Sequence, residues 1–212
     1  MATASQSLFN MTVAADNAGG NQGLLMPKLQ YRFRVNFLNF GVDASSGLEL
    51  TKQVIDCSRP QVNFPEITLP VYNSTVYLAG KYAWSPMTVN IRDDAGGSVS
   101  KAVGQQIQKQ LDFVEQASAA TGQDYKFQTN IEILDGGNGT LAPSVLETWE
   151  LYGCFLQNAN YNTLNYGTSD VVTIALSIRF DNAVQSPLAS GVGATVGRAF
   201  GGTSVTGIGG TT

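Results

Sequence analysis

The chain has 212 residues, 43% hydrophobic and only 13% charged, with a net charge of −4 and a pI near 4.7. That length supports a core burying roughly 70% of the unfolded surface, and a surface so poor in charge is either covered in an assembly or built from Ser, Thr, Asn and Gln. Its 12 Lys and Arg form no cluster to grip phosphates, and the absence of His excludes Ser–His and Cys–His nucleophile pairs and histidine metal sites.

The opening MATASQSLFNMTVAADNAGG lacks the basic start and apolar core of a signal peptide. No apolar run reaches the ~20 residues of a membrane span, so a soluble chain without a membrane partner is expected. Residues 1–27 are small and polar, with Gly19, Gly20 and Gly23 ahead of Pro27, and read as a flexible arm. The main domain is expected over 28–186. It begins with YRFRVNF, whose period-two alternation puts Tyr31, Phe33, Val35 and Phe37 on one strand face. Shorter strands are expected at 48–57, 74–79 and 85–92.

Residues 60–80, PQVNFPEITLPVYNSTVYLAG, carry Phe64, Ile67, Leu69, Val71 and Tyr72 among three prolines that keep the segment out of any central strand. This long loop or hairpin either covers the protein's own core or takes its apolar residues to another chain. In SVSKAVGQQIQKQLDFVEQASAATG, Val99, Val103, Ile107, Leu111 and Val114 fall on one stripe, which predicts a helix over about 99–119. Ser98 is the expected N-cap and Gly122 the stop, and Gly104 suggests close packing of that helix on a sheet.

Three further strands follow. YKFQTNIEIL alternates cleanly, with Tyr125, Phe127, Thr129, Ile131 and Ile133 on one face. LETWELYGCFL is apolar on both faces, with Glu147, Trp149, Leu151, Gly153 and Phe155 sharing one side. VVTIALSIRF directs Val172, Ile174, Leu176, Ile178 and Phe180 inward and Thr173, Ala175, Ser177 and Arg179 outward. Residues 187–212, rich in Gly, Ser and Thr, have no strand or helix periodicity and read as a tail, either disordered or ordered on a neighbour. The expected fold is mainly β: an antiparallel sandwich or barrel with one docked helix.

No reactive constellation emerges. Cys57 and Cys154, far apart in a chain without His, read as buried reduced thiols and not as a zinc site. Asp93-Asp94 before Gly96-Gly97, and Asp135 in DGGNG, offer oxygen ligands for Ca²⁺, but turn chemistry explains them more simply. Glu147 and Glu150 point to opposite faces of one strand and do not form an acid–base pair. No catalytic residue, metal or cofactor is expected.

The run RPQVNFPEITLPVYNSTVYLAGKYAWSPMTVNIRDD resembles the tail tube proteins of contractile-tailed bacteriophages. The resemblance continues through the following helix, the W-x-L-x-G-x-F pattern at Trp149 to Phe155 and the last strand from Val171 to Asp181. It implies a non-enzymatic subunit of six-membered rings stacked into a hollow tube inside a contractile sheath. A tape-measure protein and then DNA occupy the bore, and baseplate and tail-terminator proteins close the ends. The chain would then reside in the virion tail, assembled in the host cytoplasm. Phe64, Ile67, Leu69, Val71 and Tyr72 would contact neighbouring subunits, and Glu132, Glu147, Glu150, Thr173, Ser177 and Arg179 are candidates to face the lumen. Two alternatives stay open: the tube of a secretion or extracellular contractile injection system, or a carbohydrate-binding β sandwich using Trp84, Trp149 and several Tyr as a platform.

Overall fold

Strict apolar–polar alternation becomes strand wherever the polar half can stay wet. The computed structural model describes residues 28–43, 46–135, 143–186, 198–200 and 203–205. The chain divides into two units, Met1–Arg32 and Phe33–Thr212. The expected N-terminal arm, 1–27, lies outside the described residues, as does most of 187–212.

In chain order the second unit contains β1 (Phe33–Leu38), α1 (Ser46–Gln53), β2 (Val54–Cys57), β3 (Val62–Asn63), β4 (Glu66–Val71) and β5 (Ser74–Ala79). Next come β6 (Ala83–Trp84), β7 (Met87–Arg92), α2 (Ser98–Gln110), β8 (Leu111–Asp112), β9 (Ala117–Ser118) and α3 (Gly122–Tyr125). The last long strands are β10 (Phe127–Leu134), β11 (Val145–Asn160), β12 (Thr173–Arg179) and β13 (Asn182–Ser186). A seven-stranded antiparallel sheet runs β1-β10-β11-β12-β7-β2, with β13 also paired to β11. The 16-residue β11 is the hinge of this arrangement. Its first half lies between β10 and β13, and its second half pairs with β12, so two half-sheets share one strand.

Between them sits one core, built from Val35 and Phe37 of β1, Met87, Val89 and Ile91 of β7, and Ile174, Leu176 and Ile178 of β12, with Val99, Ala102 and Val103 of α2 against it. Each such side chain contributes about 1.5–3 kcal/mol by leaving water. The expected alternation holds within β10 and β12, but Tyr125 lies in α3 ahead of β10, and Val172 lies ahead of β12 and is exposed. Tyr31 likewise lies outside β1.

In β11 the expected faces hold only as far as Leu151. Gly153 has φ +66°, and a Cβ there would fall on the Asp181 carboxylate, which is paired with Lys126 Nζ at 2.5 Å. The pairing with β10 shifts register at this point, as in a β-bulge. One extra residue reverses the alternation: Cys154 and Leu156 enter the core, and Gly153 and Phe155 leave the Trp149–Leu151 side.

Two glutamines hold α2 in place. Fully buried Gln106 accepts from Gly41 N–H (3.0 Å) and donates to the Tyr125 carbonyl (2.6 Å). Gln110, one turn later, both donates to and accepts from the Leu156 peptide at 3.0 Å, replacing a strand partner beside a second register shift of β11. The start of α2 is held from outside. Asp94, not Ser98, accepts the Val99 N–H (3.1 Å), and this bond holds the Asp94 carboxyl below its usual pKa. Asp93 accepts from Ser100 Oγ at 2.7 Å, so the acidic pair serves the helix start.

The helix stops at Gln110, well short of 119. Leu111 is extended, and the Asp112 carboxylate accepts the Val114 and Glu115 N–H groups at 2.8 and 3.3 Å, a local turn that competes with further helix. The β8–β9 hairpin follows, and Val114 stands in solvent instead of extending the apolar stripe. Residues 48–57 split into helix and strand, because Leu50 is buried between exposed Leu48 and exposed Lys52, which a helix allows without an alternating inner face. Contrary to expectation the tail carries a ladder, β14 (Arg198–Phe200) with β15 (Thr203–Val205). A Cβ at Gly104 would meet nothing within 4 Å, so close packing is not why a glycine stands there.

The two glycines give opposite expectations in urea denaturation. Gly153→Ala combines positive φ with a clash and is expected to cost about 2 kcal/mol or more. Gly104→Ala, in open helical surroundings, is expected to add about 0.5–1 kcal/mol.

Candidate functional site

Residues 62–84 leave the core as a single arm. Its stem is the short β3–β6 ladder and its outer part the β4–β5 hairpin, paired from Glu66–Ala79 to Val71–Ser74. Pro70 lies opposite Thr75 within this ladder, which two strands with free outer edges permit and a central strand would not. Gly80 donates to the Pro65 carbonyl at 2.6 Å, and a Cβ there would press on that oxygen, so the joint between stem and hairpin needs glycine.

Directly opposed residues share a face. One face of the hairpin therefore carries Ile67 with Leu78, Leu69 with Val76, and Val71, and the other carries Glu66, Thr68, Tyr77, Pro70 and Thr75. The five residues of the apolar face remain 43–51% exposed, and Tyr72 at the tip (φ +44°) is fully exposed. The arm therefore does not cover its own core. Ile67, Leu69 and Val71 lie on this face, Tyr72 stands at the tip, and Phe64 is exposed beside the stem. Val76 and Leu78 belong to the face too, and only the cross-strand register reveals them. Phe64 stacks near Tyr82, Tyr82 meets Trp84 edge-on, and buried Trp84 packs on Phe180, so a chain of rings ties the arm to β12.

The outward face of the sheet is the second candidate surface. Across the strands Arg34 lies opposite Glu132 and then Thr148, and Asn36 opposite Asn130 and then Glu150. Arg92 lies opposite Thr173, Asn90 opposite Ala175, and Thr88 opposite Ser177. Glu132 accepts from Arg34 and from Asn36 Nδ2 (3.0 Å), and Tyr152 Oη donates to Glu150, which raises the Tyr152 pKa. Asp56 accepts from Asn90 at 2.8 Å. On the outward face of one half-sheet Arg34 lies with Glu132 and Glu150, and on that of the other Arg92 and Arg179 lie with Asp56.

Glu132 and Glu150 lie on the outward face of one half-sheet, and Thr173, Ser177 and Arg179 on that of the other. Glu147 lies on neither. It is buried on the inward side, accepting from Trp149 Nε1 (2.6 Å) and Gln185 Nε2 (2.8 Å), because odd-numbered residues before the bulge face the core. Burial of Trp84 and the Trp149–Glu147 bond also remove the two tryptophans from any sugar platform.

The β11–β12 loop, residues 161–172, is the third surface. Asn162 (φ +54°) ties its base shut by donating to the Thr173 carbonyl and hydroxyl at 2.9 and 2.8 Å. Leu164, Tyr166, Val171 and Val172 are exposed around an open cavity of about 480 Å³.

Reactive chemistry is not assembled here. Burial pushes the Cys57 thiol up to about 12 and the Cys154 thiol to about 11, so both stay protonated. Among the described residues no three His, Cys, Asp or Glu side chains group to hold a metal, and no helix is long and apolar enough to cross a membrane.

No family model matches the sequence, and no curated protein matches it. Solved structures do share the fold. A chain of the sheath/tube terminator of an extracellular contractile injection system, PVC, in the extended state aligns over 76% of this chain and 97% of its own, with 12% identity and a TM-score of 0.55. A chain of the PVC sheath–tube complex aligns over 77% and 93%, with 12% identity and a TM-score of 0.54. A chain of the anti-feeding prophage tube-terminating cap aligns over 83% and 99%, with 13% identity and a TM-score of 0.56.

Trp84 is the arm's anchor in the core, whereas Tyr72 touches only solvent. Trp84→Ala is expected to lower unfolding free energy by about 3 kcal/mol or more. Tyr72→Ala should change it by less than about 0.5 kcal/mol in the same denaturation assay.

Proposed function

We propose that this chain is a structural subunit of a phage tail tube, in which rings of copies stack into a conduit for DNA inside a contractile sheath. The observation that carries this reading is the solvent-exposed amphipathic arm on a fold shared with chains of contractile injection assemblies. Such an apolar face is an aggregation liability on a free monomer and an asset in a polymer. The exposed surface of Phe64, Ile67, Leu69, Val71, Tyr72, Val76 and Leu78 is on the order of the ~800 Å² per partner of a standard specific interface.

Two further features support it. β1 and β2 are the ends of the main sheet path, and edge-to-edge joining of copies into rings of six would remove the open edges. Either outward polar face, the one with Glu132 and Glu150 or the one with Thr173, Ser177 and Arg179, suits a wet bore. On the first, Arg34 faces Glu132 and Glu150, so DNA would pass along it without the fixed excess of positive charge that binding needs. Sheath, tape-measure, baseplate and terminator proteins are the partners this role implies, within a tail assembled in a bacterial host. A second reading, the tube of an extracellular injection system, is favoured by the origin of the aligned structures. It keeps every residue role and replaces DNA as cargo.

The test is Ile67→Asp combined with Leu69→Asp. Circular dichroism and denaturation midpoint should match the parent protein, since these side chains are outside the core. Electron microscopy and sedimentation should show that tube growth is lost. A wild-type protein that stays monomeric at high concentration would refute the tube reading.

A further inference from the structure

The arm and the β11–β12 loop occupy opposite ends of the same pair of strands. The arm's stem enters β7 next to the Ile178–Met87 pair, and the loop enters β12 at the Thr173–Arg92 pair. The six residues of β7 separate the two by roughly 17 Å at ~3.3 Å per residue. Each end presents apolar side chains that the chain itself leaves uncovered: Ile67, Leu69, Val76 and Leu78 at one, Leu164, Tyr166 and Val171 at the other.

We infer that the 161–172 loop is the receptor for the arm of a second copy of this chain. The inference rests on the tube reading and names the contact that would drive stacking. Three observations favour this occupant. The arm offers about the area that one side of a stable interface requires, so it needs a receptor and not a glancing contact. The loop's cavity is held open beforehand by the Asn162–Thr173 bonds, which lowers the ordering cost of docking.

The charges also match. The arm carries only Glu66 and Lys81, the loop only Asp170, and neither Lys81 nor Asp170 has an ion-pair partner among the described residues. Geometry then dictates the consequence. A patch and its receptor at opposite ends of one molecule make a head-to-tail contact, which keeps adding copies unless its rotation closes a ring, whereas arm-to-arm pairing would stop at a closed pair.

Mixing two non-growing variants tests this directly. The arm variant is Ile67→Asp with Leu69→Asp, and the loop variant is Leu164→Asp with Tyr166→Asp. Where circular dichroism shows the loop variant misfolded, Leu164→Ser with Tyr166→Ser replaces it. Each variant alone is expected to lose association by about 30-fold or more. An equimolar mixture should form a discrete species of about twice the unit mass in sedimentation, because one intact arm meets one intact loop, and should not elongate. A loop variant that grows tubes like wild type, or a mixture that fails to associate while wild type grows, overturns the assignment and leaves the tube reading standing. A wild-type protein that never assembles removes both.

Discussion

The bulge at Gly153 is the constraint on which the rest of the molecule depends. A regular 16-residue strand would keep one parity throughout and could serve only one sheet with one inner face. By spending a residue in the left-handed region, β11 reverses its alternation and lets Leu151, Cys154 and Leu156 reach the same core. The space left by the missing Cβ is taken by Asp181, whose N–H donates to the Tyr152 carbonyl and whose carboxylate holds Lys126. That clasp fixes the corner at which β12 becomes β13. Phe180, at the same corner, receives Trp84, and the rings of Tyr82 and Phe64 follow it out along the arm. The exposed apolar arm is thus anchored, through four aromatic rings, beside the positive-φ position at Gly153.

The molecule separates its chemistry by surface. Apolar side chains left in solvent concentrate at the two ends of the β7–β12 pair, and the outward sheet faces are polar and hydrogen-bonded. The low charged fraction is understandable on this basis. In the proposed tube, surfaces that meet copies of the same chain would gain little from like charges, and a wet face could use Thr, Ser and Asn instead. Solubility of the free subunit is correspondingly expected to be limited by the arm, since its apolar face has no cover among the described residues.

Several of these features are legible from local pattern. VVTIALSIRF announces β12 because its inner and outer residues differ at every step, and Thr173, Ser177 and Arg179 are found where that pattern puts them. The stretch from Phe64 to Tyr72 reads as apolar residues unsuited to a central strand, and it stands outside the sheet. Val76 and Leu78 are no less apolar, but their membership of the same face depends on which residues of β4 they oppose. The end of α2 is hidden for another reason. Leu111 and Val114 continue the helical stripe, and only the Asp112 turn breaks it.

The sequence by itself determined which segments alternate, that no histidine chemistry is present, and that an apolar, proline-broken segment must lie off any central strand, because these follow from neighbours a few residues apart. Tertiary structure alone decided that Glu147 faces inward, that Cys154 and Leu156 replace Phe155 in the core, and that arm and loop emerge at opposite ends of one strand pair. Each of those outcomes depends on a residue distant in the chain, such as Gln185, Asp181 or Thr173, coming to lie against it. Period-two patterns fix a strand's two faces, but only the partner strand fixes its register.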